Sequence, residues 1–181
     1  MSQQVGPIKR ALSSARGMQI GMSLWPPYLA AGVRVEHIAP DFSRARVRLN
    51  RRPWNTNYVG TAFGGSLFSM SDPFWMFLLM RRLGSEYVVW DVAGEIDFVS
   101  PGRTAVHAEF EVTAEQVAEI RNAAAGGQKV LRWFSTDLTD DNGQVVARVR
   151  KQIYVRRKRD AAAPAPNSAA VTATGVPATR P

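Results

Sequence analysis

Between Gly64 and Leu83 the chain carries a segment that would be apolar on every side of a helix: Leu67, Phe68, Met70, Phe74, Trp75, Met76, Phe77, Leu78, Leu79 and Met80. A helix at a protein surface needs only an apolar stripe, and one that is greasy all round is buried. Read as one helix, the segment would be about 30 Å long at ~1.5 Å per residue. Such an element cannot exist in water alone, so the rest of the chain has to wrap it.

The flanking sequence supplies the wrapping. Gly32 to His37 alternates Val33 and Val35 with Arg34 and Glu36, and Phe42 to Leu49 alternates Ala45, Val47 and Leu49 with Arg44, Arg46 and Arg48. Alternation of this kind is the pattern of half-buried strands. After the apolar segment come four longer strand candidates, Tyr87–Val99, Thr104 to about Ala118, Lys129–Leu138 and Val145–Arg156, with no further helix of note. Ser100-Pro101-Gly102, Asn122–Gly127 and Asp140-Asp141-Asn142-Gly143 read as the turns that join them. Hairpin-length turns imply antiparallel neighbours. The expectation is an α+β fold in which an antiparallel sheet curls around the central helix.

Domain limits follow from composition. Residues 1–31 are expected to be a helical segment packed on the domain, with apolar positions Ile8, Leu12, Ala15, Met18 and Met22 at helical spacing and Pro26-Pro27 as its stop, followed by a short turn through Tyr28 and Leu29. Residues 32–159 form the domain. Residues 160–181, Ala/Pro/Thr-rich and nearly uncharged, read as a flexible tail.

Several function classes are excluded or demoted by residue content. The chain has no cysteine and two histidines, His37 and His107, so thiolate chemistry is absent and no metal site is expected. Ser66, Ser69 and Ser71 have no His or Lys at a recognisable spacing, which removes a serine-hydrolase reading. Met1–Arg16 lacks the apolar run of a signal peptide and no segment is long enough to span a bilayer, so a cytoplasmic protein without a membrane partner is expected. The net charge of +8 would attract any polyanion. Without an aromatic–basic surface, however, a nucleic-acid partner is not expected.

Chemistry concentrates in Asn57-Tyr58-Val59-Gly60-Thr61-Ala62-Phe63-Gly64-Gly65-Ser66, ending at Asp72. Gly64 and Gly65 open the helix, where backbone N–H groups lack intrahelical acceptors. Glycine lets a carbonyl approach such donors, although the same pair could serve only close packing. One donor of this kind is typically worth roughly 2.7–4 kcal/mol to a developing oxyanion. Asp72, a carboxylate in an apolar helix, could be general base or nucleophile. Followed by Pro73, it could equally be an N-cap where the helix breaks and restarts. Asn57 could hold a water or a substrate oxygen through its amide, or simply make an Asx turn.

This stretch resembles the hotdog-fold acyl-CoA thioesterases of the phenylacetyl-CoA type. Their pattern runs Asn, two residues, Gly, two residues, His-Gly-Gly, then an acid eight positions after the first Gly of the pair. Asn57, Gly60, Gly64, Gly65 and Asp72 fall in that register, while Phe63 replaces the His. The wording GTAFGGSL is closer to an uncharacterised bacterial thioesterase-like branch, and similarity in order and spacing extends over roughly residues 27–158.

The resemblance implies a hotdog fold and hydrolysis of an acyl-CoA thioester. Gly64, with Gly65, would polarise the carbonyl, Asp72 would act as base or nucleophile, and Asn57 would assist. Phe63, Ser100, Pro101, Gly102 and Arg103 would contact substrate, with Arg150 and Lys151 as further cations for coenzyme A. Coenzyme A would enter only as part of the substrate, with no separate cofactor. The site would form between two subunits of a homodimer, paired or not into a tetramer, with Trp54, Trp75 and Trp90 as candidates for the contact. A non-catalytic acyl-CoA-binding protein is the alternative. A hydratase would need a His on the helix, and none is present.

Overall fold

The computed structural model describes residues 14–158. The Ile8–Leu12 portion of the expected N-terminal helix and the expected tail lie outside the described residues.

Helix α1 (Ala15–Ser23) starts at Ser14, whose hydroxyl accepts from Gly17 N at 3.0 Å. Its polar face is sewn to the first strand. Ser23 Oγ accepts from Val35 N at 3.1 Å, and Gln19 Nε2 donates to Glu36 O at 2.6 Å. The Pro26-Pro27 pair does not lead into a turn, as the sequence suggested, but opens a second short helix, α2 (Pro26–Ala31). Proline costs nothing at the first helical positions, where an N–H would lack an intrahelical acceptor anyway. Gly32 then closes α2 with φ +77°. A Cβ there would lie 2.1 Å from Asn55 Nδ2 and 2.7 Å from Asn50 O, so no other residue fits.

Six strands follow the alternation: β1 (Val33–Ile38), β2 (Arg44–Leu49), β3 (Tyr87–Phe98), β4 (Val106–Glu111), β5 (Val130–Asp140) and β6 (Val145–Arg157). They form one wholly antiparallel sheet in the order β1-β2-β4-β5-β6-β3. Ser100-Pro101-Gly102 therefore does not close a hairpin. It carries the chain across the sheet from β3, at one edge, to β4, which lies beside β2. Asp140–Gly143 is a true hairpin turn, with Asp140 N donating to Gln144 O at 2.9 Å.

The strand expected from Thr104 to about Ala118 stops at Glu111, and helix α5 (Ala114–Ala123) follows. Thr113 and Gln116 form a reciprocal capping box at its start, with bonds of 3.2 and 2.9 Å. Val117 and Ile120 are the buried residues of its inner face.

The apolar segment is two helices, α3 (Gly64–Ser69) and α4 (Phe74–Leu83), separated at a cis Asp72–Pro73 bond. Phe74, Trp75, Leu78, Leu79 and Leu83 of α4 are buried, as their composition requires. Phe74 stacks on Phe110 of β4 at 4.8 Å, and Trp75 meets Phe110 edge-on at 4.9 Å and Phe134 of β5 at 6.0 Å. Trp75 is thus a core residue and not a subunit contact, whereas Trp54 and Trp90 are exposed. An antiparallel sheet curled around a central helical segment is the hotdog fold.

Candidate active site

The loop before α3 is built around two asparagines. Asn55, fully buried, donates through Nδ2 to Ala31 O at 2.8 Å and Asn50 O at 2.9 Å, and accepts from Arg52 N at 2.6 Å. It ties α2, the end of β2 and the loop into one unit. Asn57 Oδ1 accepts from Thr61 N at 3.0 Å and Val59 N at 3.2 Å, while its Nδ2 donates to Thr61 Oγ1 at 2.9 Å. This is the Asx-turn role, and it uses both acceptor positions of the amide. One Nδ2 hydrogen is left over.

Beside this loop lies a cleft of about 520 Å³, lined by Asn57, Thr61, Ala62, Gly64 and Leu67 on one side and Phe98–Arg103 on the other. Asn57, Gly64, Ser100, Pro101, Gly102 and Arg103, far apart in the chain, meet here. The two walls are bonded together by Ala62 N, which donates to Gly102 O at 2.8 Å. Ser100 is pinned by its hydroxyl to Val145 O at 2.6 Å. At Gly102 a Cβ would lie 3.2–3.3 Å from Ala62, Val146 and Val106 at once, so its glycine serves close packing.

At the head of α3, Phe63 offers no side-chain cap. Ser66 N and Leu67 N bond to Phe63 O, and the N–H groups of Gly64 and Gly65 have no acceptor among the described residues. The helix is only six residues long, so it offers unpaired donors more than an aligned dipole. Gly64 lines the cleft. Gly65 and Phe63 line a separate hollow with Trp54 and Ala31, and the Phe63 ring covers Gly65.

Asp72 does not line the cleft of its own chain. Nor is it a helix cap: Pro73 occupies that position without a side-chain bond. Its carboxylate instead accepts from Lys151 Nζ, which also donates to Asp91 Oδ2 at 2.6 Å. The Lys151 side chain is 8% exposed and Asp72 is 52% exposed, so the ammonium is buried while the carboxylate reaches solvent. Lys151 is therefore held inside the fold and is not a surface cation for coenzyme A. The Phe68 ring lies 5.9 Å from its Nζ.

Burial pushes the Asp91 carboxyl above its ordinary range, more than the adjacent Lys151 draws it down, and Asp72 adds to the rise. For Lys151, burial acts to lower the pKa, but the bonds to Asp72 and Asp91 together hold it above its ordinary value. Asp91 Oδ1 is buried without a partner among the described residues. The Tyr28 hydroxyl donates to the Asp72 backbone carbonyl and fixes the α3–α4 junction. Burial, with the Asp72 charge adding, drives this phenol well above its ordinary range.

Residues 15–155 match the family described as a domain of unknown function, DUF4442. The chain belongs to that family. No curated protein matches this DUF4442 chain in sequence. Solved structures do match it in fold. A Pseudomonas aeruginosa protein of unknown function, described as a probable thioesterase, superposes with a TM-score of 0.70 at 20% identity, covering 77% of this chain and 93% of that one. The Haemophilus influenzae thioesterase gives 0.58 at 9% identity, with 80% and 91% covered. A Mycobacterium tuberculosis protein described as a candidate esterase gives 0.56 at 22% identity, with 74% and 98% covered. At these identities the likeness shows the hotdog fold.

Sequence reasoning missed Asp91, Tyr28 and Asn55. Asp91 had a readable signal, since Val89 and Asp91 share the inward face of β3 as Val149, Lys151 and Ile153 share that of β6. A lysine and an aspartate at inward positions of the same sheet demand each other. Among the described residues no helix is long and apolar enough to cross a membrane.

Proposed function

We propose that this protein hydrolyses the thioester of an acyl-coenzyme A, with the acyl–sulfur junction in the cleft between the Asn57–Gly64 loop and the Phe98–Arg103 crossover. The observation that carries the reading is the cleft itself. It gathers Asn57 and Gly64 of the thioesterase-like pattern and the expected substrate contacts Ser100–Arg103 around an N–H without an acceptor, at Gly64. The thioester names of two structural neighbours agree with it.

In this reaction water adds to the carbonyl carbon, the oxyanion is met by Gly64 N–H, and the thiolate departs. Asp72 takes the proton from the attacking water. Because Asp72 does not line its own cleft, the reading requires a homodimer in which it serves the cleft of a second copy. The exposed edge strand β3 is suited to that pairing. It presents Trp90, Val92 and Phe98 to solvent together with an unpaired ladder edge, and Phe98 also lines the cleft.

Phe63 in place of His, and the engagement of Asp72 by Lys151, favour one competing reading: an acyl-CoA binder without turnover. Free-thiol release from a panel of acyl-CoA thioesters separates the two. The proposal expects steady release with at least one acyl group. Saturable binding with no thiol above the uncatalysed rate would establish the binder instead.

A further inference from the structure

A second cleft of about 580 Å³ adjoins the first, and four arginines, Arg48, Arg51, Arg52 and Arg103, share its wall with uncharged residues such as Thr56 and one acid, Asp141. The four guanidinium groups come from the end of β2, the segment after it and the β3–β4 crossover. Elsewhere Arg44, Arg46, Arg132, Arg148, Arg150 and Arg157 each face a carboxylate within 4 Å, while Arg82, Arg121 and Arg156 donate to backbone carbonyls. Among the described residues, none of the four pocket arginines has a carboxylate within that distance, and Arg48 Nε is buried without an acceptor. The single acid of the pocket, Asp141, is bonded to His107 Nε2 at 2.8 Å and Ala105 N at 3.3 Å, and it also feels the Arg48 charge, so one acid stands against four cations.

Four like charges held around one hollow repel one another, and a multivalent anion is what relieves them. Planar guanidinium groups match phosphate oxygens in particular. Position narrows the ligand further. Arg103 lines both clefts, and Arg51 Nη1 donates to Arg103 O at 2.8 Å, which fixes the two basic segments together. A molecule with phosphates in the basic pocket can therefore extend an uncharged arm into the cleft at Gly64.

We propose that the Arg48–Arg51–Arg52–Arg103 pocket binds the phosphate groups of a phosphorylated pantetheine thioester and selects such substrates over phosphate-free ones. This inference rests on the thioester reading of the neighbouring cleft. The phosphates have two possible sources: the nucleotide head of coenzyme A, or the single phosphate at the end of a phosphopantetheine arm.

The test uses the full chain and the Arg51→Gln/Arg52→Gln variant, whose altered side chains are exposed. The readout is kcat/KM for one acyl group carried on coenzyme A, on phosphopantetheine and on N-acetylcysteamine. One charge-assisted hydrogen bond is worth a factor of roughly 10–100. The preference for the coenzyme A thioester over the N-acetylcysteamine thioester should thus fall at least about tenfold in the variant. A loss confined to coenzyme A assigns the pocket to the nucleotide phosphates, and an equal loss with phosphopantetheine assigns it to the single phosphate. An unchanged preference overturns the proposal.

Calorimetric titration with adenosine 3′,5′-bisphosphate and with inorganic pyrophosphate supplies a second readout that needs no turnover. Binding by the wild type that weakens at least about tenfold in the variant supports the phosphate site even if no thioester is hydrolysed. Absence of binding to both probes, together with an unchanged preference, sinks it.

Discussion

At the residue scale the most informative group is the Asp72–Lys151–Asp91 cluster. A raised folded-state pKa means that Asp91 contributes stability below its ordinary value of 3.8 and loses it as pH rises through the folded value. Asp91→Asn removes that loss and leaves Lys151 paired with Asp72. The melting temperature of the variant relative to wild type should therefore climb as pH rises from below 3.8 through the raised folded value. A difference that stays flat over that range would show that Asp91 does not titrate abnormally. Gly64 permits an equally local test. The nearest atoms to a Cβ there are those of the Phe98 ring, from 2.8 Å, and that exposed ring can swing aside. Gly64→Ala should keep stability within ~1 kcal/mol while lowering kcat/KM at least about tenfold by narrowing the cleft. Undiminished turnover would remove Gly64 from the site.

At the element scale, what was legible in the sequence divides along physical lines. Alternation located β1 and β2, the strand candidates Tyr87–Val99, Lys129–Leu138 and Val145–Arg156 match β3, β5 and β6, and the all-round apolar composition identified the buried helix. The break between α3 and α4 was visible only as the ambiguous Asp72-Pro73 pair, because a proline can begin a helix as readily as it ends one. The same ambiguity hid α2 behind Pro26-Pro27. Helix α5 was missed because the apolar alternation of β4 runs on through Val112, although Thr113-x-x-Gln116 spelled its capping box. Thr113→Ala should cost about 0.5–2 kcal/mol and lower the melting temperature, with activity at the distant cleft retained. A neutral substitution would mean that α5 is held by Val117 and Ile120 alone. Strand order could not be read from turn length, since the Ser100–Gly102 turn joins strands that do not pair. Cross-strand partners such as Asp91 and Lys151 are fixed only once β3 is placed beside β6.

At the scale of the whole molecule, the candidate site is the product of three long-range closures: loop to crossover through Ala62 and Gly102, α2 to loop through Asn55, and the α3–α4 junction to β6 through Asp72 and Lys151. None of them places Asp72 in the cleft of its own chain. Self-association along β3 is therefore part of the functional account. Val92, exposed at the bulge of that edge strand, is the position at which a charge would oppose strand pairing. Val92→Lys should shift the mass measured by light scattering toward the monomer and reduce thioester hydrolysis in parallel. A fully active monomer would refute the two-copy site.

The central claim is that Asp72 activates water against a thioester held at Gly64, and Asp72→Asn tests it most directly. Asparagine keeps the volume and can still accept a hydrogen bond from Lys151, but it cannot take a proton from water. General-base assistance is worth about 10²–10⁴ in rate, so kcat should fall by at least about two orders of magnitude, with substrate affinity little changed. Thioester hydrolysis and thermal melting are measured on the same preparation. A folded variant that has lost turnover agrees with the account, and a folded variant turning over at nearly the wild-type rate contradicts it.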